Sequence, residues 1–296
     1  MIRILGTVLA GLLGLAFGSF LNVCLSRWPM SESVVKPRSH CRQCGRTLAW
    51  WENVPLVSWL ALRGRCRTCH AWIGWRYPLV ELAVGVLWAT FAWHALEQLR
   101  VLDVADQFGI VPSQIGLIPL IGTMFFLWLL VGIAVLDAEH FWVADAATLP
   151  GIALGFAFSV WSVSLLQEPL RDQSGFWIRL GQRFLEVLAA ASLILLIRWV
   201  YWLVRRREGV GLGDAKLMAL LAAWLGLPGA LLAFVMGVVL GTLVGAVLLV
   251  IPSAKSDTSN WKARKLPLGT FLCIGGIISS LWGQPIIAAY LRWGGF

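Results

Sequence analysis

The amino-acid sequence predicts an all-α polytopic membrane protein with about eight transmembrane helices. Of its 296 residues, 59% are apolar and only 13% are charged, and the mean hydropathy is +0.78. A soluble domain needs more polar surface than such a composition can supply. The chain also contains eight apolar runs separated by polar segments, and about 20 apolar residues are enough to cross the hydrocarbon core of a bilayer.

The apolar runs follow one another along the whole chain. They cover residues 4–25, 78–96, 115–136, 146–166, 181–204, 214–227, 229–252 and 266–291. The first run is preceded by a single basic residue, Arg3, and is long enough to span, which favours a retained helix over a cleavable signal peptide. The sixth run is short and ends at the turn signal Leu227-Pro228-Gly229.

The polar segments differ in charge, and this difference predicts the orientation. Segment 27–77 carries nine basic residues against two acids, whereas loop 97–114 carries three acids against one Arg. Because basic segments remain on the cytoplasmic side, we expect segment 27–77 to be cytoplasmic and the N-terminus to lie outside. We assign the net charge of +9 to this orientation and predict no nucleic-acid partner. Alternation of the spans places three further segments in the cytoplasm: 137–145, 205–213 and 253–265.

Segment 27–77 contains two Cys-x-x-Cys pairs. They are Cys41-Arg-Gln-Cys44 and Cys66-Arg-Thr-Cys69, with 21 residues between the pairs. Two such turns can aim four thiolates at one ion, and a closed set of four sulfurs is typical of structural zinc. We therefore predict a structural Zn²⁺ site, which would stabilise about 50 residues that have little core of their own. Two disulfides, which a reducing compartment disfavours, and a redox role for one pair are the alternatives.

Two aspartates lie at the ends of predicted spans on the predicted cytoplasmic side. Asp137 follows the third span, and Asp214 stands in Gly211-Leu-Gly213-Asp214 at the start of the sixth. Ionisable groups at membrane depth are costly and indicate functional sites. Of two adjacent carboxyl groups, one can accept a proton from an attacking water while the other donates to a peptide carbonyl. The pattern predicts an aspartic-peptidase pair that titrates jointly. A solvated helix end is the alternative for Asp137 alone.

Several other ionisable or thiol side chains are predicted to have roles outside the catalytic pair and the metal site. Glu139 and Asp145 lie in the same predicted connection as Asp137 and are interpreted as loop charges or substrate contacts. Glu81 and Glu186 lie within predicted spans and are predicted to pair with Arg or backbone groups. Cys24 and Cys273 are predicted to be small buried residues.

These motifs occur in an order that resembles the type IV prepilin peptidase family, also called leader peptidase/N-methyltransferase. Residues 17–29 read FGSFLNVCLSRWP, similar to the family's GSFLNV…R.P signature, and 211–216 read GLGDAK. The other matching segments are 37–41, 52–59, 63–66, 76–81, 136–137 and 267–269. The chain has Ala144-Asp145 where the family usually has Pro-Asp, and the separation of Asp137 from Asp214 is longer than usual.

The resemblance implies a function and a set of site residues. It maps the catalytic pair to Asp137 and Asp214, and it implies cleavage of short basic leaders of type IV prepilins and type II secretion pseudopilins. It also implies methylation of the new N-terminus with S-adenosylmethionine, in a multi-pass protein of a bacterial inner membrane whose active site faces the cytoplasm. We expect Glu139, Asp145 and Glu208 to hold the basic leader. Three parts are then predicted: a first transmembrane helix at 1–26, a cytoplasmic zinc-binding module at 27–77 and a transmembrane aspartic peptidase domain at 78–296.

Other classes of protein explain fewer of these features. There are four alternatives: a peptidase without methyltransferase activity, a carboxylate-based membrane transporter, a non-enzymatic assembly factor and a GxGD peptidase of the presenilin kind. A transporter predicts polar residues at mid-depth in several spans, and the apolar runs contain few. An assembly factor leaves the two aspartates unexplained, and a presenilin-like peptidase does not account for the cysteine pairs.

Overall fold

The computed structural model confirms the all-α prediction. It describes residues 1–106, 117–166, 173–207, 211–250 and 266–294. Over these ranges the regular elements are helices, with two isolated β-bridges and no strand. The α-helices are α1 (Ile2–Arg27), α2 (Val57–Ala61), α3 (Arg76–Asp106), α4 (Leu117–His140), α5 (Asp145–Leu166), α6 (Gln173–Arg205), α7 (Leu212–Val250) and α8 (Leu268–Trp293).

The helices confirm a multi-pass membrane protein. In the described part of the chain, six helices are long and apolar enough to cross a membrane: α1, α3, α4, α6, α7 and α8. Two of the predicted spans, 214–227 and 229–252, both fall in α7, which has 39 residues. The helix α5 coincides with predicted span 146–166 but is not among the six. The number of eight spans therefore stays a prediction.

A backbone break divides α7 close to the predicted turn. The break lies at Gly226, one residue before Leu227-Pro228-Gly229, and has φ 72° and ψ 172°. Only glycine adopts this conformation readily, because a Cβ atom would clash with the backbone. The Oε2 atom of Glu186 accepts hydrogen bonds from Leu227 N at 3.3 Å and from Arg183 Nη1 at 2.8 Å. The prediction that Glu186 pairs with Arg or backbone groups is confirmed.

Helices extend further into the predicted polar segments than the apolar runs indicated. Helix α3 continues to Asp106 and α6 begins at Gln173, so parts of the predicted loops 97–114 and 167–180 are helical. The rest of both loops lies outside the described residues. Helix α4 likewise reaches His140, which places Asp137 in its last turn rather than after it. Apolar runs mark the membrane crossing, whereas backbone hydrogen bonding continues beyond it into polar residues.

The chain forms two compact units, Met1–Gly132 and Ile133–Phe296. The three-part division at 1–26, 27–77 and 78–296 stays a prediction. In the first unit α1 packs against α3 at close range, since a Cβ on Gly14 would lie 2.8 Å from the carbonyl oxygen of Val84. Small residues of this kind let membrane helices approach closely.

In the second unit α7 packs against α5, α6 and α8. A Cβ on Gly237 would lie 3.0 Å from the carbonyl oxygen of Phe271, which again shows a close approach of two helices. Ser279 Oγ donates to Gly229 O at 2.9 Å across the same contact. The fully buried core of this unit includes Ile194, Leu217, Met218, Leu220, Leu221 and Leu272. This packing holds the first turn of α7 in place, where Asp214 lies.

Candidate active site and metal centre

Asp137 is a buried carboxyl group fixed by the start of α8. Its residue is 6% exposed. Thr270 N donates to Asp137 Oδ2 at 2.6 Å, and Thr270 Oγ1 lies 3.2 Å from the same oxygen and 2.9 Å from Ala134 O. The single hydroxyl hydrogen of Thr270 can be donated to only one of these two acceptors at a time. The N-terminal turn of α8 therefore sets the rotation of the Asp137 carboxyl group.

The backbone of α8 approaches Asp137 at a glycine. A Cβ placed on Gly269 would lie 2.9 Å from both Cγ and Oδ2 of Asp137. Real Cβ atoms do not approach other heavy atoms this closely, so any side chain at position 269 would displace the carboxyl group. The segment 267–269, noted in the sequence for its family resemblance, is thus in contact with the candidate catalytic residue.

We expect Gly269→Ala to lower the rate of substrate cleavage about tenfold to a hundredfold, because a displacement of about 1 Å at a reacting group can cost that much. The rate is measured with purified enzyme and a prepilin substrate. Gly181→Ala is the matched control, since a Cβ on Gly181 meets no atom within 4 Å. Equal rates for the two variants would show that the approach at Gly269 has no bearing on Asp137.

Asp214 is the second buried carboxyl group and lies in the first turn of α7. Its residue is 9% exposed. Its Oδ2 accepts a hydrogen bond from Gly211 N at 3.1 Å, so the side chain caps a free N–H at the helix start. A Cβ on Gly213 would lie 3.1 Å from Val143 Cγ2, so the GxGD segment packs tightly against the residues that follow α4.

The second unit brings these two side chains together. Asp137 and Asp214 lie within electrostatic range of each other and of the thiol of Cys273, which is fully buried. Residues 77 positions apart in the sequence therefore share one buried, polar location. Thr270, which contacts Asp137, was not predicted from the sequence; its only signal is its position directly after the 267–269 segment.

The other acidic residues of the sequence prediction have different surroundings. Asp145 opens α5 and accepts a hydrogen bond from Lys216 Nζ at 2.6 Å, with 58% of its side chain exposed. The carboxylate of Glu139 is 3.9 Å from His140 Nε2 and its side chain is 36% exposed. Glu208 lies outside the described residues. Both described residues are accessible to a ligand, as a substrate contact requires.

The first unit brings the four paired cysteines together. The Sγ atoms of Cys41, Cys44, Cys66 and Cys69 all lie within 4.8 Å of one another, and the cluster can hold a metal ion. Four sulfurs at about 2.3 Å from a tetrahedral ion stand about 3.8 Å apart, and the Sγ atoms of Cys41 and Cys69 are 3.7 Å apart. The donor set and its spacing therefore fit zinc. All four thiols are free, so the structure does not favour the disulfide alternative.

The two cysteine pairs sit on similar turns. Cys41 N donates to Arg46 O at 2.9 Å, and Cys66 N donates to Ala71 O at the same distance. The backbone N–H groups of Cys69 and Thr68 lower the pKa of the Cys66 thiol to about 6. Burial and hydrogen bonds with the neighbouring thiols raise the pKa of the Cys69 thiol to about 11. Cys66 is therefore the first of the two to ionise, and the thiolate is the form that binds a metal.

An ion pair braces the segment between the two turns. The side chain of Glu52 is 1% exposed, and its carboxylate accepts from Arg46 Nη2 at 2.6 Å and from Ala49 N at 2.7 Å. The Arg46 guanidinium holds the pKa of Glu52 below its usual value. The interaction was not predicted from the sequence, which carried no signal beyond the identity of the two residues.

The remaining structural assignments agree with the sequence prediction. Glu81 Oε2 accepts from the backbone N–H of Leu56 at 2.8 Å. Cys24 and Cys273 are buried, with 2% and 0% of their surface exposed. Glu81 therefore has the expected backbone partner, and both cysteines are buried, as predicted.

Comparison with known proteins places this arrangement in a family. Residues 12–95 match the bacterial peptidase A24 N-terminal domain, and residues 124–246 match the type IV leader peptidase family. A prepilin leader peptidase/N-methyltransferase of Pseudomonas aeruginosa is 33% identical, over 96% of this chain and 93% of that protein. A protein of the same name from Pseudomonas putida is 32% identical, over 97% of this chain and 94% of that protein. Another, from Myxococcus xanthus, is 37% identical, over 78% of this chain and 61% of that protein. No solved structure matches the chain. The chain belongs to the type IV leader peptidase family.

Proposed function

We propose that this protein cleaves the basic leader of type IV prepilins and type II secretion pseudopilins with Asp137 and Asp214, and then N-methylates the new N-terminal residue. The observation that carries the cleavage step is the pair of buried carboxyl groups at the ends of α4 and α7 in the second unit. The relatives named prepilin leader peptidase/N-methyltransferase support both activities.

The two carboxyl groups can divide the acid and base roles of peptide hydrolysis. Two neighbouring buried carboxyl groups do not both ionise readily, so one keeps its proton. The ionised group takes a proton from water as the water oxygen bonds to the scissile carbonyl carbon, and the other group protonates the carbonyl oxygen. The C–N bond of the resulting diol then breaks. The nitrogen takes the proton that came from water, and a diol O–H returns a proton to the second carboxylate.

The site suits a substrate that is itself held in the membrane. Both aspartates lie at the ends of helices long and apolar enough to span. A substrate with an apolar helix would lie in the bilayer, with its polar leader at the surface next to these helix ends. The excess of basic residues in segment 27–77 supports a cytoplasmic location for this surface.

The four-cysteine cluster would hold a structural zinc ion. Four thiolates close the tetrahedral coordination, which leaves no position for a reacting water. The ion would therefore stabilise the segment between α1 and α3, residues 28–75, and take no part in the cleavage chemistry. S-adenosylmethionine would supply the methyl group for the second activity, as the names of the relatives suggest.

The direct test is processing of a purified prepilin by the purified enzyme in lipid nanodiscs, with and without S-adenosylmethionine. Mass spectrometry of the product is expected to show loss of the leader in both reactions and one added methyl group only with the methyl donor. An intact leader after incubation would contradict the proposed function. A cleaved but unmethylated product with the donor present would contradict its second half.

Three acidic residues close in sequence to the aspartates are expected to bind the basic leader. Reversing the charges of Glu139, Asp145 and Glu208 together should raise the KM for a basic-leader substrate about tenfold or more and leave kcat little changed, because the contacts act on binding alone. A substrate whose leader lysines are replaced by glutamine is the control and should lose this dependence. An unchanged KM for the basic leader would rule the contacts out.

A further inference from the structure

A cavity of about 350 Å³ lies in the first unit, outside the site of the two aspartates. One wall is formed by α1, where Ser19, Asn22, Val23, Ser26 and Arg27 line it. These positions recur at helical spacing and form one face. Four of the five are polar, whereas the other polar residues of α1, Arg3 and Thr7, lie near its opposite end. A polar stripe on a membrane helix requires a partner, and here the stripe faces a space large enough for a small ligand.

The cavity wall carries two buried charges that have no counter-ion. Arg27 is 5% exposed, and its guanidinium donates to the carbonyl oxygens of Ser33 and Pro37 at 2.8 and 2.7 Å. Glu81 is 7% exposed and accepts from Leu56 N. Within the described part of the chain, neither side chain has an oppositely charged partner. Burying unpaired charges is costly, so a ligand that carries both signs would stabilise this wall.

An unsatisfied acceptor lies on the same wall. Asn22 is 2% exposed and donates from Nδ2 to Tyr77 O at 2.9 Å. Its Oδ1 is buried and has no hydrogen-bond partner. Buried polar atoms are nearly always paired, and an exception requires an explanation such as an absent ligand.

Aromatic rings also line the cavity. Trp59 and Trp72 line it, with ring centroids 5.9 Å apart in an edge-to-face arrangement, and Trp59 Nε1 donates to Ile73 O at 3.1 Å. Cys41 and Cys66 also line the cavity, so the four-cysteine cluster borders it. Fixed indole rings suit a flat heterocycle or a cation.

We infer that this cavity binds the methyl donor, with Glu81 facing the positively charged part of S-adenosylmethionine and Arg27 facing its carboxylate. The ligand carries a sulfonium and an ammonium group, a carboxylate and a purine, which match the unpaired carboxylate, the unpaired guanidinium and the indole rings. Asn22 Oδ1 would accept a hydrogen bond from the same ligand. The inference rests on the methyl-transfer half of the proposed function and adds the place where the donor binds.

Binding is tested directly on the full-length enzyme in nanodiscs, with S-adenosylmethionine as the titrated ligand. Glu81→Gln is expected to weaken the Kd tenfold or more, because it removes one charge and keeps the shape. Ser26→Leu, which fills the cavity without altering any charge, should weaken binding as strongly. Glu32→Gln is the matched control, since Glu32 is an acid of the same segment that is 47% exposed and does not line the cavity. An unchanged Kd in either cavity variant would overturn the inference.

A second measurement does not depend on the folding of any variant. Ultraviolet cross-linking of methyl-tritiated S-adenosylmethionine to the wild type, followed by peptide mapping, should label peptides from 19–27, 52–59 or 71–81. Label confined to 133–296 would overturn the inference. If the wild type binds the donor elsewhere and still methylates a cleaved pilin, only the assigned cavity is wrong. If the wild type neither binds the donor nor methylates, the methyltransferase function itself fails.

Discussion

Asp137→Asn and Asp214→Asn are each expected to lower the rate of prepilin cleavage about a thousandfold or more. Proton transfer by positioned groups contributes about 10²–10⁴-fold, and members of a catalytic unit do not act independently. Asparagine keeps the size of each side chain, and in Asp137→Asn the amide oxygen can still accept the hydrogen bond from Thr270 N. Loss of rate would then report loss of the ionisable group. The measurement is the single-turnover cleavage rate with enzyme in excess over prepilin.

Two controls separate catalysis from folding. Glu32→Gln removes a carboxylate of the first unit that is 47% exposed and paired with Arg42, and it should retain the single-turnover cleavage rate. Methylation of a pilin supplied with its leader already removed should persist in both active-site variants, because the methyl transfer follows cleavage and does not require it in that assay. Cleavage within tenfold of wild type in either variant would mean that the pair is not the catalytic unit.

The sequence predicted the two aspartates and the four cysteines for different physical reasons. A carboxylate at the end of an apolar run is costly unless it is used, and a Cys-x-x-Cys turn has a local geometry that the intervening residues do not alter. Both signals are local. In the structure Asp137 and Asp214 are both buried in the second unit, within electrostatic range of each other, and the four Sγ atoms lie within 4.8 Å of one another; the catalytic role of the two aspartates stays a prediction.

Contacts between distant segments could not be predicted in the same way. Thr270 lies 133 positions from Asp137, and nothing in the periodicity of α8 indicates which helix end it meets. The same limit applies to Asn22 and Glu81, which line one cavity only because α1 and α3 pack side by side. A pattern of apolar residues specifies which segments are buried, but neighbouring helices in a bilayer are selected by shape and small residues.

The break in α7 shows a different limit. A Pro-Gly pair marks a turn reliably, and the sequence placed the turn at Leu227-Pro228-Gly229. The residue that adopts the left-handed conformation is the preceding glycine, Gly226. Proline suits the first positions of the helix that follows, because its missing N–H is not needed there. The helix start is therefore displaced by about one residue from the dipeptide that signals it.

Removal of the metal ligands is expected to have the second large effect. The double variant Cys41→Ser/Cys66→Ser should lower the zinc content from about one ion per chain to nearly none, because it takes one ligand from each turn. Structural zinc contributes about 10–16 kcal/mol to small domains, and segment 28–75 has few buried side chains apart from Cys66 and Glu52. Without the ion this segment should unfold and be cleaved rapidly in limited proteolysis. Mass spectrometry measures both the bound zinc and the proteolytic fragments.

The control for this prediction is Cys24→Ala, which removes a buried thiol that lies outside the cluster and should retain full zinc. A wild type with no bound zinc and only two titratable thiols would instead establish two disulfides. Proteolysis also tests the role of the ion: if chelation removes the zinc and segment 28–75 stays resistant, the ion does not stabilise the fold of this segment.

Because Cys41 and Cys66 also line the cavity of the first unit, unfolding of this segment should abolish binding of S-adenosylmethionine in the same sample. If the metal-free protein still binds S-adenosylmethionine with the wild-type Kd, the cysteine cluster is not needed for binding of the methyl donor.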